Sequence, residues 1–309
     1  MHSRWFDVAV VLLWLTTMGW LISAKVLPAL RVGDPPDSRT ILDAKQGETV
    51  VGWRMSWDGR AMGWALNTTV PLAHGMTQLR SLVHFDEIPI SESARKFLAN
   101  WLGAEFSTQV QLEFDSVLDF DAFGRLSRFE SALRFLPSQP QDAAIKVRGQ
   151  IDGSQLNLTL RTGDYNEERQ LKVPGKGMLG DAVSPQTCLP GLRQGQSWTI
   201  EVYSPLHSAD RPLEIIHATV EAKQPVSWEG RAAEAWVVVY RPDTGTAADR
   251  AGKPQGRLWV LPEGKVIRQQ VIFFGSAIDF DRMSDVEAAA LERTTGLRRR
   301  DAVNREPEP

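Results

Sequence analysis

Between residues 49 and 283, apolar and polar positions alternate in short runs broken by turn residues, the period of strands with one buried face. Val50, Val51, Trp53 and Met55 lead into Asp58-Gly59, a two-residue hairpin signal, and residues 60–72 form the returning strand. Ala73-His74-Gly75-Met76 makes the next turn, after which Leu79, Ser81, Val83 and Phe85 alternate with polar neighbours. The same reading predicts strands over 108–121, 125–135, 143–151, 155–163, 168–173, 196–203, 214–220, 231–240, 257–261 and 265–274, with Asp152-Gly153 as another tight turn. One helix interrupts them at 91–103. Ser91-Glu92-Ser93 caps its start, Gly103 ends it, and Ala94, Phe97, Leu98 and Trp101 form one apolar stripe.

The pattern therefore describes a mainly β (α+β) protein of about a dozen strands with one packed helix. Sequential hairpins imply antiparallel pairing, and so wide a sheet curls, so a large curved antiparallel sheet or half-barrel is expected. Ser56-Trp57-Asp58-Gly59-Arg60-Ala61 and Ser227-Trp228-Glu229-Gly230-Arg231-Ala232 are alike and both fall at hairpin tips. They suggest two halves of one sheet.

A different pattern precedes the sheet. Residues 8–24 read VAVVLLWLTTMGWLISA, without a charge, and after Lys25 the apolar run continues as VLPAL. This is the short end of a membrane-spanning length, extendable because Lys25 can carry its ammonium up to the headgroups. Trp5 stands at one edge, Trp14 and Trp20 lie inside, and Val8 and Ala24 bound the run. Residues 1–30 are accordingly expected to be a single-pass transmembrane anchor. The run exceeds a typical signal-peptide core, so an uncleaved signal-anchor is favoured over cleavage after Ala24. Arg4 before the helix against Lys25, Arg31, Arg39 and Lys45 after it favours a cytoplasmic C-terminal side. An anchor followed by a strand-rich domain favours export, and the extracytoplasmic, periplasmic side is expected against that charge count.

Pro35-Pro36 within residues 31–48 predicts an extended linker. The β-rich domain then spans 49–283, and 284–309 is expected to be a short helix over 284–292 followed by a disordered charged tail. Residues 243–256 read as a long hairpin loop.

Composition narrows the function classes. A net charge of −3 gives no footprint for nucleic acid. Cys188 is the only cysteine, which excludes an intramolecular disulfide and the spacings of zinc ribbons. Cys188 with His207 or His217 has the residue types of a nucleophile and base, but no recognisable orienting motif accompanies them, and a lone cysteine more often sits buried. His2, His74, His84, His207 and His217 are scattered without metal-ligand spacing, and no nucleophile elbow or phosphate loop is present, so no metal or cofactor is expected. Glu113, Asp115, Asp119 and Asp121 share one strand parity. They fit an acid/base pair or cation site less well than a solvated face, because Leu112, Phe114 and Leu118 take the other parity. Arg298-Arg299-Arg300 reads as a solvated tail.

Tryptophan is abundant, eleven against three tyrosines. A curved sheet lined by Trp53, Trp64, Trp236 and Trp259 and covered by Phe97, Leu98 and Trp101 would hold an acyl chain or another apolar ligand. The competing reading is that these rings fill the core.

Three strings, VLPALRVGDPP (26–36), FGRLSRFES (123–131) and MLGDAVSPQTCLPGLRQGQSWTIEVYSPL (178–206), resemble an uncharacterised family of bacterial membrane-anchored proteins over residues 4–285. The last string is also similar to segments that precede transglutaminase-like peptidase domains, and residues 207–309 are not expected to form such a domain. The strand count with one intervening helix resembles the lipoprotein-carrier (LolA/LolB-like) half-barrel. That resemblance implies a curved sheet around an apolar cavity with helices across its mouth. The expectation is a non-enzymatic, membrane-anchored extracytoplasmic domain that binds a lipid, an acyl chain or a membrane-protein partner. A ligand-free structural or adaptor subunit is the alternative, and a Cys188-dependent hydrolase or transferase comes last.

Overall fold

The computed structural model describes residues 13–14, 16–18, 20, 38–45, 50–89, 109–136, 144–163, 165–172, 184–203, 213–242, 253–273 and 276–295. Fourteen strands form one antiparallel sheet. In chain order they are β1 (Val50–Trp57), β2 (Arg60–Pro71), β3 (Thr77–Pro89), β4 (Gln109–Phe120), β5 (Leu126–Leu136), β6 (Ile145–Asp152), β7 (Gln155–Thr162), β8 (Tyr165–Lys172), β9 (Ser197–Tyr203), β10 (Leu213–Trp228), β11 (Arg231–Pro242), β12 (Gly256–Val260), β13 (Val266–Phe273) and β14 (Ser276–Arg282). Helix α1 (Ser38–Lys45) precedes the sheet and α2 (Asp285–Thr295) follows it.

The spatial order is β8-β7-β6-β5-β4-β3-β2-β1-β14-β13-β12-β11-β10-β9. The chain enters at the middle and meanders out to the β8 edge. It then crosses to the β9 edge and meanders back until β14 pairs with β1. The sheet is curved and unclosed, with β8 and β9 as its edges. β14 was not anticipated as a separate strand, because the turn before it carries a weak signal. Its Ser-Ala-Ile-Asp-Phe-Asp-Arg alternation nevertheless sends Ile278 and Phe280 inward.

The two similar hairpin tips form as expected. Asp58 and Gly59 have φ of 45° and 80°, and Glu229 and Gly230 have 49° and 73°, the left-handed pair of a type I′ turn. Five strand steps separate β10 from β1, so the two strands run in opposite directions and the tips stand at opposite rims.

Helix α1 corrects, over Ser38–Lys45, the extended linker expected for residues 31–48, whose other residues lie outside the described ones. The prolines restrict the chain only up to Pro36. Beyond them Ile41 and Leu42 bury on one side of a two-turn helix, and Ile41 joins the core. Helix α2 is held by a capping box: the Ser284 hydroxyl and backbone N–H donate to Glu287 Oε2 at 2.8 and 3.0 Å. Leu291 packs with Val50, Trp64, Leu66 and Leu82 on the convex face, and Glu287 pairs with Arg54.

The helix expected over 91–103 lies outside the described residues, and so do Phe97, Leu98 and Trp101. In the N-terminal segment Leu13, Trp14, Thr16, Thr17, Met18 and Trp20 are helical and exposed, with the Thr17 hydroxyl donating to the Leu13 carbonyl. Trp5, Val8, Ala24 and Lys25 lie outside the described residues. No helix among the described residues is long and apolar enough to cross a membrane.

Candidate functional site

The concave face is built from alternate residues of every strand. Its centre is one continuous apolar cluster: Val51, Trp53 and Met55 of β1, Ala65 of β2, Val83 and Phe85 of β3, Val220 and Val238 opposite, and Ile278 and Phe280 of β14. Trp53 is fully buried, and its indole N–H donates to Asn67 Oδ1 at 2.9 Å.

The tryptophans do not share this face. A two-residue turn at Asp58-Gly59 would place Trp64 directly opposite Trp53. A bulge adds Met62 to β2, and Trp53 pairs with Ala65 instead. The bulge depends on Gly63, whose φ is 151°. A Cβ there would lie 2.0 Å from the His84 carbonyl oxygen. Trp64 therefore turns to the convex face and stacks on His84, ring centroids 5.1 Å apart. Trp259 also lies off the central cluster, packed with Ala235, Leu261 and Ile267 and with the Arg268 guanidinium 5.9 Å from its ring. Trp236 does pack against the central cluster, with Lys223 Nζ 4.8 Å from its ring. Of the four tryptophans expected to line one surface, only Trp53 and Trp236 do so.

The crossover between the sheet edges explains what fills the centre. Residues 184–196 run as a strap over the concave face. Ser184 Oγ lies 3.4 Å from Ser116 Oγ of β4, the Gln186 N–H donates to Gln269 Oε1, and the Leu189 N–H donates to the Gly264 carbonyl. Leu189 is 1% exposed and belongs to the central cluster. Arg282 anchors the strap from below, its Nη1 donating to the carbonyls of Thr187 (3.0 Å) and Val266 (3.2 Å) with the Trp53 ring 5.9 Å away. A buried guanidinium satisfied by carbonyls suits this place, because an unpaired backbone oxygen would be costly there.

Beyond the strap, β5 to β8 form a wing with its own apolar cluster. Val147, Leu156 and Leu158 are buried, with Phe129, Ile145, Ile151, Leu160 and Leu171 packed around them. Gly149 leaves room for the Phe129 ring, which would stand 2.1 Å from a Cβ at that position. A polar row, Asn67-Ser81-Ser116-Ser131, crosses β2 to β5 in direct register and meets Val147 of the wing. Glu167 and Arg169 face the same side from the edge strand and are bonded to each other. The wing thus carries a buried apolar cluster with polar residues along its margins. The serine row went unnoticed in the sequence, because each member is one unremarkable residue on a different strand.

The titratable candidates separate. Cys188 is buried in the strap, where it forms a backbone bridge with Lys265, whereas His217 alternates away from the buried Ala218 and so faces the convex side. His207 lies outside the described residues. Glu113, Asp115 and Asp119 share the convex face, as their parity predicts, but Glu113 is buried there instead of solvated. Arg134 Nη1 sits 3.7 Å from Glu113 and 3.6 Å from Asp115, and Gln78 donates to Asp119. Asp121 lies beyond the end of β4 and so leaves the row. Asp121 caps the following turn, and although burial acts to raise its carboxyl, hydrogen bonds from Arg125 and Phe123 hold it below its ordinary value. No group of three or more potential metal ligands occurs among the described residues.

No protein-family model matches the chain, and no curated protein does. Among solved structures it is similar to a β-barrel-like protein of a domain of unknown function, DUF1849, from Brucella abortus. The identity is 12%, the TM-score is 0.46, and the match covers 76% of this chain and 95% of that one. It is also similar to a DUF1089 family protein from Pseudomonas aeruginosa at 16% identity and a TM-score of 0.33, covering 66% of this chain and 87% of that one. Likeness at this level says nothing about what the present chain binds.

Proposed function

We propose that this chain is a membrane-tethered binding protein rather than an enzyme. Residues 1–30 hold it in the bilayer, and the half-barrel, on the extracytoplasmic side, takes an apolar or amphipathic ligand on the concave side of the β5–β8 wing. The observation that carries the reading is the division of the concave face. The centre is occupied by its own side chains and the strap, and the wing has a separate apolar cluster in which the buried Val147, Leu156 and Leu158 are flanked by the half-buried Phe129, Leu160 and Leu171 and bordered by Ser131, Glu167 and Arg169. Partly exposed apolar side chains with a few polar groups beside them suit an acyl chain bearing a polar end. The uncharged run over residues 8–24 supports the tether.

Native mass spectrometry of the full-length chain, released from a neutral detergent, tests the ligand. A bound lipid is expected, and it should be lost on Leu160→Gln, a half-buried wing position. A wild-type protein that carries no lipid and takes up no fluorescent fatty acid would overturn the proposal. Capture of one consistent partner by such ligand-free protein would instead support an adaptor subunit. A reporter fused to the C-terminus and scored for export tests the sidedness.

A further inference from the structure

The convex face of the same wing carries a second surface that the proposed ligand does not touch. Lys146, Arg148, Thr159, Arg161, Asn166 and Glu168 line a shallow groove across β6, β7 and β8. Their register is a grid: Lys146 stands opposite Arg161 and Arg161 opposite Asn166, while in the next row Arg148 stands opposite Thr159 and Thr159 opposite Glu168. Like charges directly opposite across a strand pair are unfavourable. Glu130 relieves the β5 side of the grid, with Lys146 Nζ at 2.6 Å and Arg148 Nε at 3.0 Å. Among the described residues no carboxylate pairs with Arg161. Three cations, a hydroxyl and an amide thus converge from neighbouring strands, and one carboxylate closes the far corner.

The geometry points to an anion site for a glycerophosphoryl-type group, a phosphate ester flanked by hydroxyls. Arg161, Lys146 and Arg148 supply charge-assisted bonds to the phosphate oxygens, which also relieves the repulsion within the grid. Glu168 would repel a bare phosphate, and it accepts a hydrogen bond from a neighbouring hydroxyl, while the Asn166 amide can serve either group. Such a group occurs on a lipid headgroup and on a soluble ester.

The full-length chain in a neutral maltoside detergent is titrated calorimetrically with glycerol phosphate, inorganic phosphate and a short-chain phosphatidylglycerol. Glycerol phosphate is expected to bind at least about tenfold more tightly than inorganic phosphate, with Glu168→Gln narrowing that ratio. Arg161→Gln should abolish binding of both, while Lys172→Gln, on the neighbouring edge strand β8 outside the groove, leaves them unchanged. Arg161→Gln removes a repulsive contact, so its melting temperature should not fall, and Arg148→Gln provides an independent second variant. Tighter binding of the phosphatidylglycerol assigns the site to a headgroup, and equal binding assigns it to a soluble ester. Inorganic phosphate binding as well as the ester, or Arg161→Gln and Lys172→Gln weakening binding equally, would overturn the proposal.

Discussion

The strapped centre and the β5–β8 wing belong to one sheet yet are stabilised in different ways. In the centre, strands from both ends of the chain share one cluster around Trp53, a crossover segment and α1 lie against it, and α2 packs on the convex side of the same strands. In the wing, four consecutive strands rely on the cluster around Val147, Leu156 and Leu158 and on charged pairs around Glu130. The centre is held by contacts distant in sequence and the wing by contacts with near neighbours. Local opening is therefore expected to begin in the wing, where fewer buried apolar contacts oppose it.

The largest effect should come from Trp53→Ala, which empties the centre and costs about 3–5 kcal/mol of global stability in denaturant titration. A loss below about 1 kcal/mol would break the distinction at its root. Arg282→Met should follow, leaving the Thr187 and Val266 carbonyls without a donor at about 3 kcal/mol. Hydrogen exchange should then rise in residues 184–196 first; a uniform rise would show that the strap is not separately held. Leu158→Ala should cost about 2–3 kcal/mol, with the increase in exchange confined to β6–β8. Spread of that increase into β1 and β14 would mean that the wing and the centre open together.

Ser284→Ala removes the cap of α2 and should lower stability by about 1 kcal/mol without changing exchange in the wing. The smallest effect concerns acid. Burial acts to raise the Glu130 carboxyl, but its bonds to Lys146 and Arg148 outweigh this and hold it below its ordinary value. A depressed carboxylate contributes stability above its unfolded pKa and loses that contribution as pH falls through the folded one. Wing exchange should therefore quicken below about pH 4.5, and Glu130→Gln should flatten that dependence.

Much of the sheet was legible because strand alternation and turn chemistry are local. The Asp58-Gly59 and Glu229-Gly230 tips, the strand runs and the convex parity of Glu113, Asp115 and Asp119 follow from two-residue periodicity and from which residues accept positive φ. The tryptophan lining was misread because face assignment accumulates along a strand. The one extra residue at Met62 sends Trp64 to the opposite side, and a lone Gly63 does not announce a bulge until the His84 carbonyl is seen pressed against it. The helical turns over 38–45 were hidden behind two prolines that act only on their immediate neighbours.

Hydrophobic alternation by itself determined that this chain forms a wide antiparallel sheet with one buried face, since each strand carries that instruction in its own residues. Only the tertiary structure decided that β14 returns to pair with β1, that residues 184–196 lie across the concave face, and that Arg161 stands opposite Lys146. Those features depend on register and on partners far apart in the chain, where a shift of one residue reverses every side chain that follows.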